Sequence, residues 1–304
     1  MCVLVIGSSN TDLVVHSSRL PKPGETVLGG TFFLNPGGKG ANQAVAAARL
    51  GKDITFCCKT GEDSYGKEAH ALFEKEGLDT RYVFHTADVP SGVALITVDE
   101  KAENCIVVAS GANQCMTAED IDRIEDIDRY SIILVQLEIP VETVEHIAEI
   151  ARKHHIPLIL NPAPARSLSP EILRSVSIIT PNETEAELLT GIRITDRETA
   201  VSAAEALRKL GPETAVITLG SKGSLIHSAD LTEFIPAFPT EAVDTTAAGD
   251  VFNGALAVGL DEGKTLKEAV VFATAASSIA VSRMGAQSSA PVREEVEQKL
   301  NKTN

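Results

Sequence analysis

Apolar residues in this chain fall into two patterns: short unbroken runs, and longer stretches where they recur every three or four positions. The runs at 3–6, 54–59, 131–137, 157–160, 177–180 and 214–219 predict strands buried on both faces. The periodic stretches at 40–50, 64–76, 141–154, 182–189, 198–210, 248–260, 266–283 and 292–300 predict helices. Strand and helix alternate, which implies an α/β fold in which a central, mostly parallel sheet is flanked by helices. Residues 12–34 and 91–109 break the rhythm with β-type runs at 14–15, 26–28, 32–34, 93–98 and 105–109. Pro21, Pro23, Gly24, Gly29 and Gly30 supply turn signals between the first of these. The expectation is a small antiparallel sheet built from two insertions, serving as a lid on a single domain spanning 1–304. Two unrelated surface hairpins are the alternative.

Composition narrows the function. Hydrophobic residues make up 43% and charged residues 23%, which fits a folded globular chain. Acidic residues outnumber basic ones 42 to 27, for a net charge of −15, and no Lys/Arg cluster is present. Partners such as nucleic acid or an anionic membrane are therefore not expected. The five cysteines lack C-x-x-C spacing and are expected as reduced thiols. The apolar run at 3–6 has no basic flank, and the uncharged stretch 269–282 is too short to cross a bilayer, so a cytoplasmic protein is expected.

Two apparent motifs fail on spacing. Gly259 and Gly263-Lys264-Thr265 leave three residues between the glycines, where a Walker A loop has four, and Gly38-Lys39-Gly40 continues as Ala-Asn-Gln rather than completing G-x-G-x-x-G. More telling is Asp244-Thr-Thr-Ala-Ala-Gly-Asp250, which runs directly into a helix. Small residues let a ligand approach the backbone, and the N–H groups of a helix's first turn attract an oxyanion or phosphate. Asp250 is placed to act as catalytic base if a hydroxyl is the nucleophile; the plainer role for it is a helix cap. A second glycine-rich loop, Asn35 to Ala44, carries Lys39 and Asn42 into a helix and offers the hydrogen-bonding groups a sugar needs. Asn10, Asp12 and Glu138 each follow a predicted strand, at the edge where open α/β sheets bind ligands.

Gly37 to Ala44 (GGKGANQA) and Asp244 to Ala255 (DTTAAGDVFNGA), with Pro181-Asn-Glu-Thr-Glu185 and Thr218-Leu-Gly-Ser-Lys-Gly223 between them, resemble the signatures of the PfkB carbohydrate kinases. Order and spacing hold from Ile6 to about Pro291. The resemblance implies ATP-dependent phosphorylation of a small sugar, D-ribose at its 5-hydroxyl, with deoxyribose, fructose or a nucleoside as alternative acceptors. It further implies that Asn10, Asp12, Gly38, Lys39, Asn42 and Glu138 hold sugar hydroxyls and that Asp250 is the base. Ala247, Ala248, Gly249 and Asp250 would form an anion hole. Asn182 and Glu185 would organise Mg²⁺ through water, and Thr218, Gly220, Ser221 and Gly223 would line the ATP site. Asp244, Thr246, Ala280, Gly285 and Ser289 fall at positions for a monovalent cation, K⁺. A homodimer through the lid is implied, with Val27, Phe32, Phe33 and Val107 as apolar side chains to cover. Two departures stand out. Ala247 replaces the first glycine of the family's G-A-G-D, and Thr274 stands where His or Asn is common in the helix expected near the adenine. A sugar-binding regulator on the same fold has no need for Asp250; an NAD-dependent oxidoreductase lacks its fingerprint.

Overall fold

Val3 to Ile6 are fully buried, and the strand they form, β1 (Cys2–Ile6), is an interior strand of the main sheet, third from one edge. The computed structural model describes residues 2–303 except Lys52 and Ala102. Ala102, within the second expected lid stretch, and Met1 and Asn304, the expected domain ends, lie outside the described residues. In chain order the strands after β1 are β2 (Asn10–His16), β3 (Thr31–Gly37), β4 (Ile54–Gly61), β5 (Asp79–Thr86), β6 (Gly92–Val98) and β7 (Asn104–Ala109). They continue as β8 (Tyr130–Val135), β9 (Leu158–Leu160), β10 (Ile178–Ile179), β11 (Thr214–Thr218), β12 (Ser224–His227) and β13 (Thr232–Ile235).

Among the described residues these form two sheets. The nine-stranded sheet has the order β13-β12-β11-β10-β9-β8-β1-β4-β5. It is parallel from β5 through β11 and antiparallel only at the β11–β12 and β12–β13 pairs. The helices are α1 (Lys39–Leu50), α2 (Ser64–Lys75), α3 (Ala118–Asp122), α4 (Val141–Lys153), α5 (Pro170–Arg174), α6 (Glu183–Thr190), α7 (Arg197–Leu210), α8 (Ala248–Asp261), α9 (Leu266–Ala280) and α10 (Arg293–Thr303). One apolar cluster joins the sheet to α1, α8 and α9, and a second joins its other face to α4 and α7. Small residues make the first face tight: a Cβ on Gly254 of α8 would lie 2.6 Å from the Gln43 carbonyl of α1. Among the described residues no helix is long and apolar enough to cross a membrane.

The second sheet has four strands in the order β3-β2-β6-β7. Each insertion contributes an antiparallel hairpin, and the hairpins join through a parallel β2–β6 pair, so they are one sheet and not two separate hairpins. Residues 26–28, expected to be extended in a strand, are in none; β3 begins at Thr31. Register divides the side chains. Val15 opposite Phe32, Leu34 and Leu95 opposite Leu13, and Val107 opposite Leu95 share one face, where Val15, Phe32, Leu34, Leu95 and Val107 are exposed. Asp12 is on the other face with Val14, and there Phe33 is stacked on His16 with ring centroids 5.4 Å apart. Phe33 and Val27, both expected on the apolar outer surface, therefore do not belong to it: the first faces the opposite way and the second is half-buried outside the strands.

Candidate active site

The main sheet's parallel strands all end on one side, and the loops leaving β1, β8, β9, β10 and β11 carry the polar residues of the site. The β1–β2 connection, Gly7 to Ser9, is pressed against α1, whose Ala41 N–H donates to the Ser8 carbonyl at 2.8 Å. Gly38 precedes α1 with φ of +89°, and a Cβ there would lie 2.7 Å from the Asn10 nitrogen, so glycine alone fits this turn. Gly37 similarly leaves room for Asp12, whose carboxylate would be 2.5 Å from an added Cβ.

Around this loop the structure brings together Asn10, Asp12, Lys39, Asn42, Glu138 and Asp250. Glu138 accepts from the Ser8 hydroxyl at 2.5 Å and from the Lys39 backbone N–H at 3.0 Å. Burial, joined by the negative charges of Glu138 and Asp250, raises Asp12 to about 6. Lys39 is pushed above its usual range by Asp250 first, despite burial, with Glu138 and Glu185 adding to the effect. It is the cation of an acidic site.

Asp250 sits in the first turn of α8 and is 5% exposed. Asn42 Nδ2 donates to its Oδ2 at 2.9 Å, and Gln43 Nε2 donates to its Oδ1 at 3.0 Å. Burial raises its pKa, opposed by the Lys39 charge and by the two amide donors. The carboxylate is thus held in place by donors yet poised to take a proton. Immediately before it, Ala247 adopts the left-handed conformation with φ of +58°, turning the chain into the helix. Among the described residues no acceptor meets the N–H of Gly249 or of Asp250. Gly249 is exposed and nothing lies within 4 Å of where its Cβ would be. Gly249 and Asp250 therefore present open donors at a helix N-terminus, a geometry suited to an anion, while the Ala248 N–H of the same expected anion hole is taken by the Thr245 carbonyl at 3.3 Å.

The expected nucleotide-side residues gather at the ends of β10 and β11. Asn182 bridges to Thr218, and Asn182 and Glu185 cap α6 reciprocally, each accepting the other's backbone N–H at 2.8 Å. Burial raises Glu185, against the Asn182 N–H and the Lys39 charge. Gly220 and Ser221 are exposed in the turn after β11. Gly223, by contrast, is buried, and a Cβ there would lie 2.0 Å from the Ile235 carbonyl, so it shapes the loop from beneath. Lys222 is exposed and 3.4 Å from Glu183. Thr274 is buried in α9 with its hydroxyl on the Val270 carbonyl.

Of the expected cation ligands, Asp244 binds the Thr246 N–H through Oδ1 and the Gly285 N–H through Oδ2, both at 2.9 Å. Burial would raise Asp244, but these hydrogen bonds outweigh it and hold the carboxyl below its usual range. The Ala280 carbonyl accepts from the Arg283 N–H at 3.0 Å, and Ser289 is buried with its hydroxyl on the Ala286 carbonyl at 2.7 Å. One carboxylate among carbonyl and hydroxyl oxygens is a donor set that fits a hard, weakly demanding cation.

Sequence reading missed Gln43 and Asn113. Asn113, in the turn after β7, accepts from the Ser9 N–H at 2.9 Å and donates to Asn10 Oδ1 at 2.7 Å. That bond occupies the Asn10 oxygen and leaves its amide N–H₂ for another partner. Asn113 stands 103 residues from Asn10, and no local pattern announces it.

The sequence pattern of the pfkB family carbohydrate kinases matches residues 2–293. The ribokinase of Haemophilus influenzae is 45% identical over 96% of this chain and 95% of its own length. That of Bacillus subtilis is 44% identical over 98% and 99%. The structure of Arabidopsis thaliana ribokinase complexed with ribose and ATP superposes with a TM-score of 0.91 at 35% identity, covering 98% of each chain. A buried carboxylate at a helix N-terminus, facing a glycine-rich polar loop across the ends of a parallel sheet, is thus matched by similarity along almost the whole sequence, and this chain belongs to the pfkB family of carbohydrate kinases.

Proposed function

We propose that the protein transfers the γ-phosphoryl group of ATP to the 5-hydroxyl of D-ribose. The observation that carries this reading is Asp250, a buried carboxylate between the sugar-type loop and open helix N–H groups. In this reading Asn10, Asp12, Gly38, Lys39, Asn42 and Glu138 hold the pentose. Asp250 takes the proton of the primary hydroxyl while that oxygen bonds to the γ-phosphorus. The bond from this phosphorus to the β–γ bridging oxygen breaks, and ADP leaves. Negative charge on the metaphosphate-like group in transit is met by the N–H groups of Gly249 and Asp250 and by the Lys39 ammonium.

Thr218, Gly220 and Ser221 flank the nucleotide, with Gly223 holding their loop in shape. Asn182 and Glu185 would hold Mg²⁺ through water, a role that fits the Glu185 Oε1 atom left clear of the capping contact, and the ion would neutralise phosphate charge. Asp244, Thr246, Ala280, Gly285 and Ser289 would hold K⁺ beside the anion hole, where it would stiffen the turn that Asp244 ties to Gly285. Higher rates in potassium than in sodium are the expected check. The exposed apolar face of the lid supports a homodimer.

An ADP-release assay across ribose, deoxyribose, fructose and adenosine tests the reading. Turnover should be highest with ribose, and phosphorus NMR of the product should place phosphate on the 5-oxygen. Turnover restricted to another acceptor overturns the choice of sugar.

A further inference from the structure

Beneath Asp250 lies a set of buried amides drawn from separate parts of the chain. Gln43 and Gln136 are fully buried, and Asn161 is 6% exposed. Gln136 follows β8, Asn161 follows β9, and Gln43 lies in the second turn of α1. We propose that Gln43 is a positioning residue for the phosphoryl transfer, holding Oδ1 of Asp250 from behind so that Oδ2 is the oxygen that receives the sugar's proton. The inference rests on the reading of Asp250 as the base.

The direction of every amide in the set is fixed by one group that can only accept. The Thr180 carbonyl has no proton to give, so Asn161 turns its N–H₂ toward it, Nδ2 donating at 3.1 Å. This points Asn161 Oδ1 at Gln43, which must answer with a donor, and Gln43 Nε2 does so at 3.0 Å. The same nitrogen spends its other proton on Asp250 Oδ1. Gln43 Oε1 then accepts from Gln136 Nε2 at 2.6 Å. Rotating the Gln43 amide by half a turn would set oxygen against Asn161 Oδ1 and Asp250, and nitrogen against nitrogen at Gln136. Each contact opposes the flip.

The two donors on Asp250 differ in access. Asn42 is in the first turn of α1, directly after the glycine-rich loop, is 7% exposed, and its own Oδ1 has no partner, so its side chain has unused hydrogen-bonding capacity. Gln43 has no exposed surface, and a sugar cannot replace it. A hydroxyl that approaches Asp250 therefore competes with Asn42 at Oδ2, whereas Gln43 keeps Oδ1 throughout. Thr180 extends the support to the anion hole: its hydroxyl donates to Asn253 Oδ1 at 2.6 Å, and Asn253 Nδ2 donates to the Gly249 carbonyl at 2.8 Å. One residue at the end of β10 thus steadies both the base and the turn in front of it.

Charged groups around Asp250 come from Lys39 on α1, Glu138 after β8, Asp12 on β2 and Glu185 on α6. None is removed by substituting Gln43. Gln43→Met keeps length and loses the donor, and losing a donor to the charged form raises the acid's pKa. The test is kcat and KM from pH 5.5 to 9 for wild type, Gln43→Met and Gln136→Met, on ribose or on whichever sugar the wild type turns over.

In Gln43→Met, kcat should fall roughly 10- to 100-fold, the size of one hydrogen bond to a charged group, and the acid limb of the kcat profile should move up by about one pH unit. KM for the sugar should stay within about threefold. Gln136→Met, which leaves the Gln43–Asp250 bond but loosens its support, should shift the limb in the same direction by less, and it decides the matter if Gln43→Met does not fold. An unmoved acid limb in the folded variants, or a loss confined to KM, overturns the role of Gln43. A wild type inactive on every sugar instead overturns Asp250 as the base, and the inference with it.

Discussion

Asp250 is both a first-turn residue of α8 and the acceptor of two buried amides, so its substitution separates packing from chemistry. Asp250→Asn keeps the volume and loses the ability to take a proton. It should lower kcat by ~10²- to 10⁴-fold with sugar affinity nearly unchanged, whereas a purely structural aspartate would leave kcat within a few-fold. Asp12 works against stability. Its folded value of about 6, against 3.8 unperturbed, means that its ionised form at pH 7 costs on the order of 3 kcal/mol before solvent discounts it. The folded state takes up this proton first as pH falls, so the group's contribution to stability rises between about 6 and 3.8 and its cost is full above 6. Asp12→Asn should therefore raise the thermal midpoint at pH 7 while weakening ribose binding; a lowered midpoint would contradict the cost assigned to it. The sequence exposed Asp12 because it lies just beyond a buried strand and its glycine, and Asp250 because it ends a turn of small residues that runs into a helix. It left Gln43 and Asn113 hidden, since their partners lie 93 to 207 residues away and only the folded sheet brings them close.

The N-terminus of α8 is built around a residue in the left-handed region, where an L side chain is strained by roughly 1–2 kcal/mol. Ala247→Gly removes that strain at the expense of a more flexible unfolded chain. A gain of up to about 1 kcal/mol in denaturant unfolding is expected, with turnover within a few-fold. A clear loss of stability would mean that the alanine methyl is supported by contacts that outweigh its strain. Elements with a strong period were legible: β1, β4, β8 and the helices α1, α4, α7, α8 and α9 lie within a few residues of where the pattern sets them. Elements with a weak signal were not. Each strand of the β12–β13 hairpin has only four residues, and β5 carries Arg81 and His85 in an edge strand whose apolar positions are confined to its centre. At an edge one side of the ladder is free, so sequence is less constrained there. The residues of the 26–28 run are β-prone but lie between glycines and a proline pair that keep them out of any ladder.

At the scale of the whole molecule the four-stranded sheet has two unlike faces. Leu95 lies near the middle of the outer one, with Val107 on one neighbouring strand and Leu13 on the other. Leu95→Asp would place a charge where a second copy would pack, and sedimentation should show the wild type as a dimer and the variant as a monomer with kcat per chain largely kept. A wild type that stays monomeric at every concentration would remove the dimer. The inner face has a different consequence. Asn10 and Asp12 are the first and third residues of β2 and so belong to the four-stranded sheet, while Asp250 and Asn42 belong to the core helices. A sugar gripped by both sets becomes a rivet between two bodies, and the free energy of gripping it is spent partly on holding them together. Thermodynamic linkage then runs in both directions: whatever draws the sheet toward α8 tightens the grip on the sugar, and the sugar, once held, strengthens in equal measure the hold on whatever draws the sheet in.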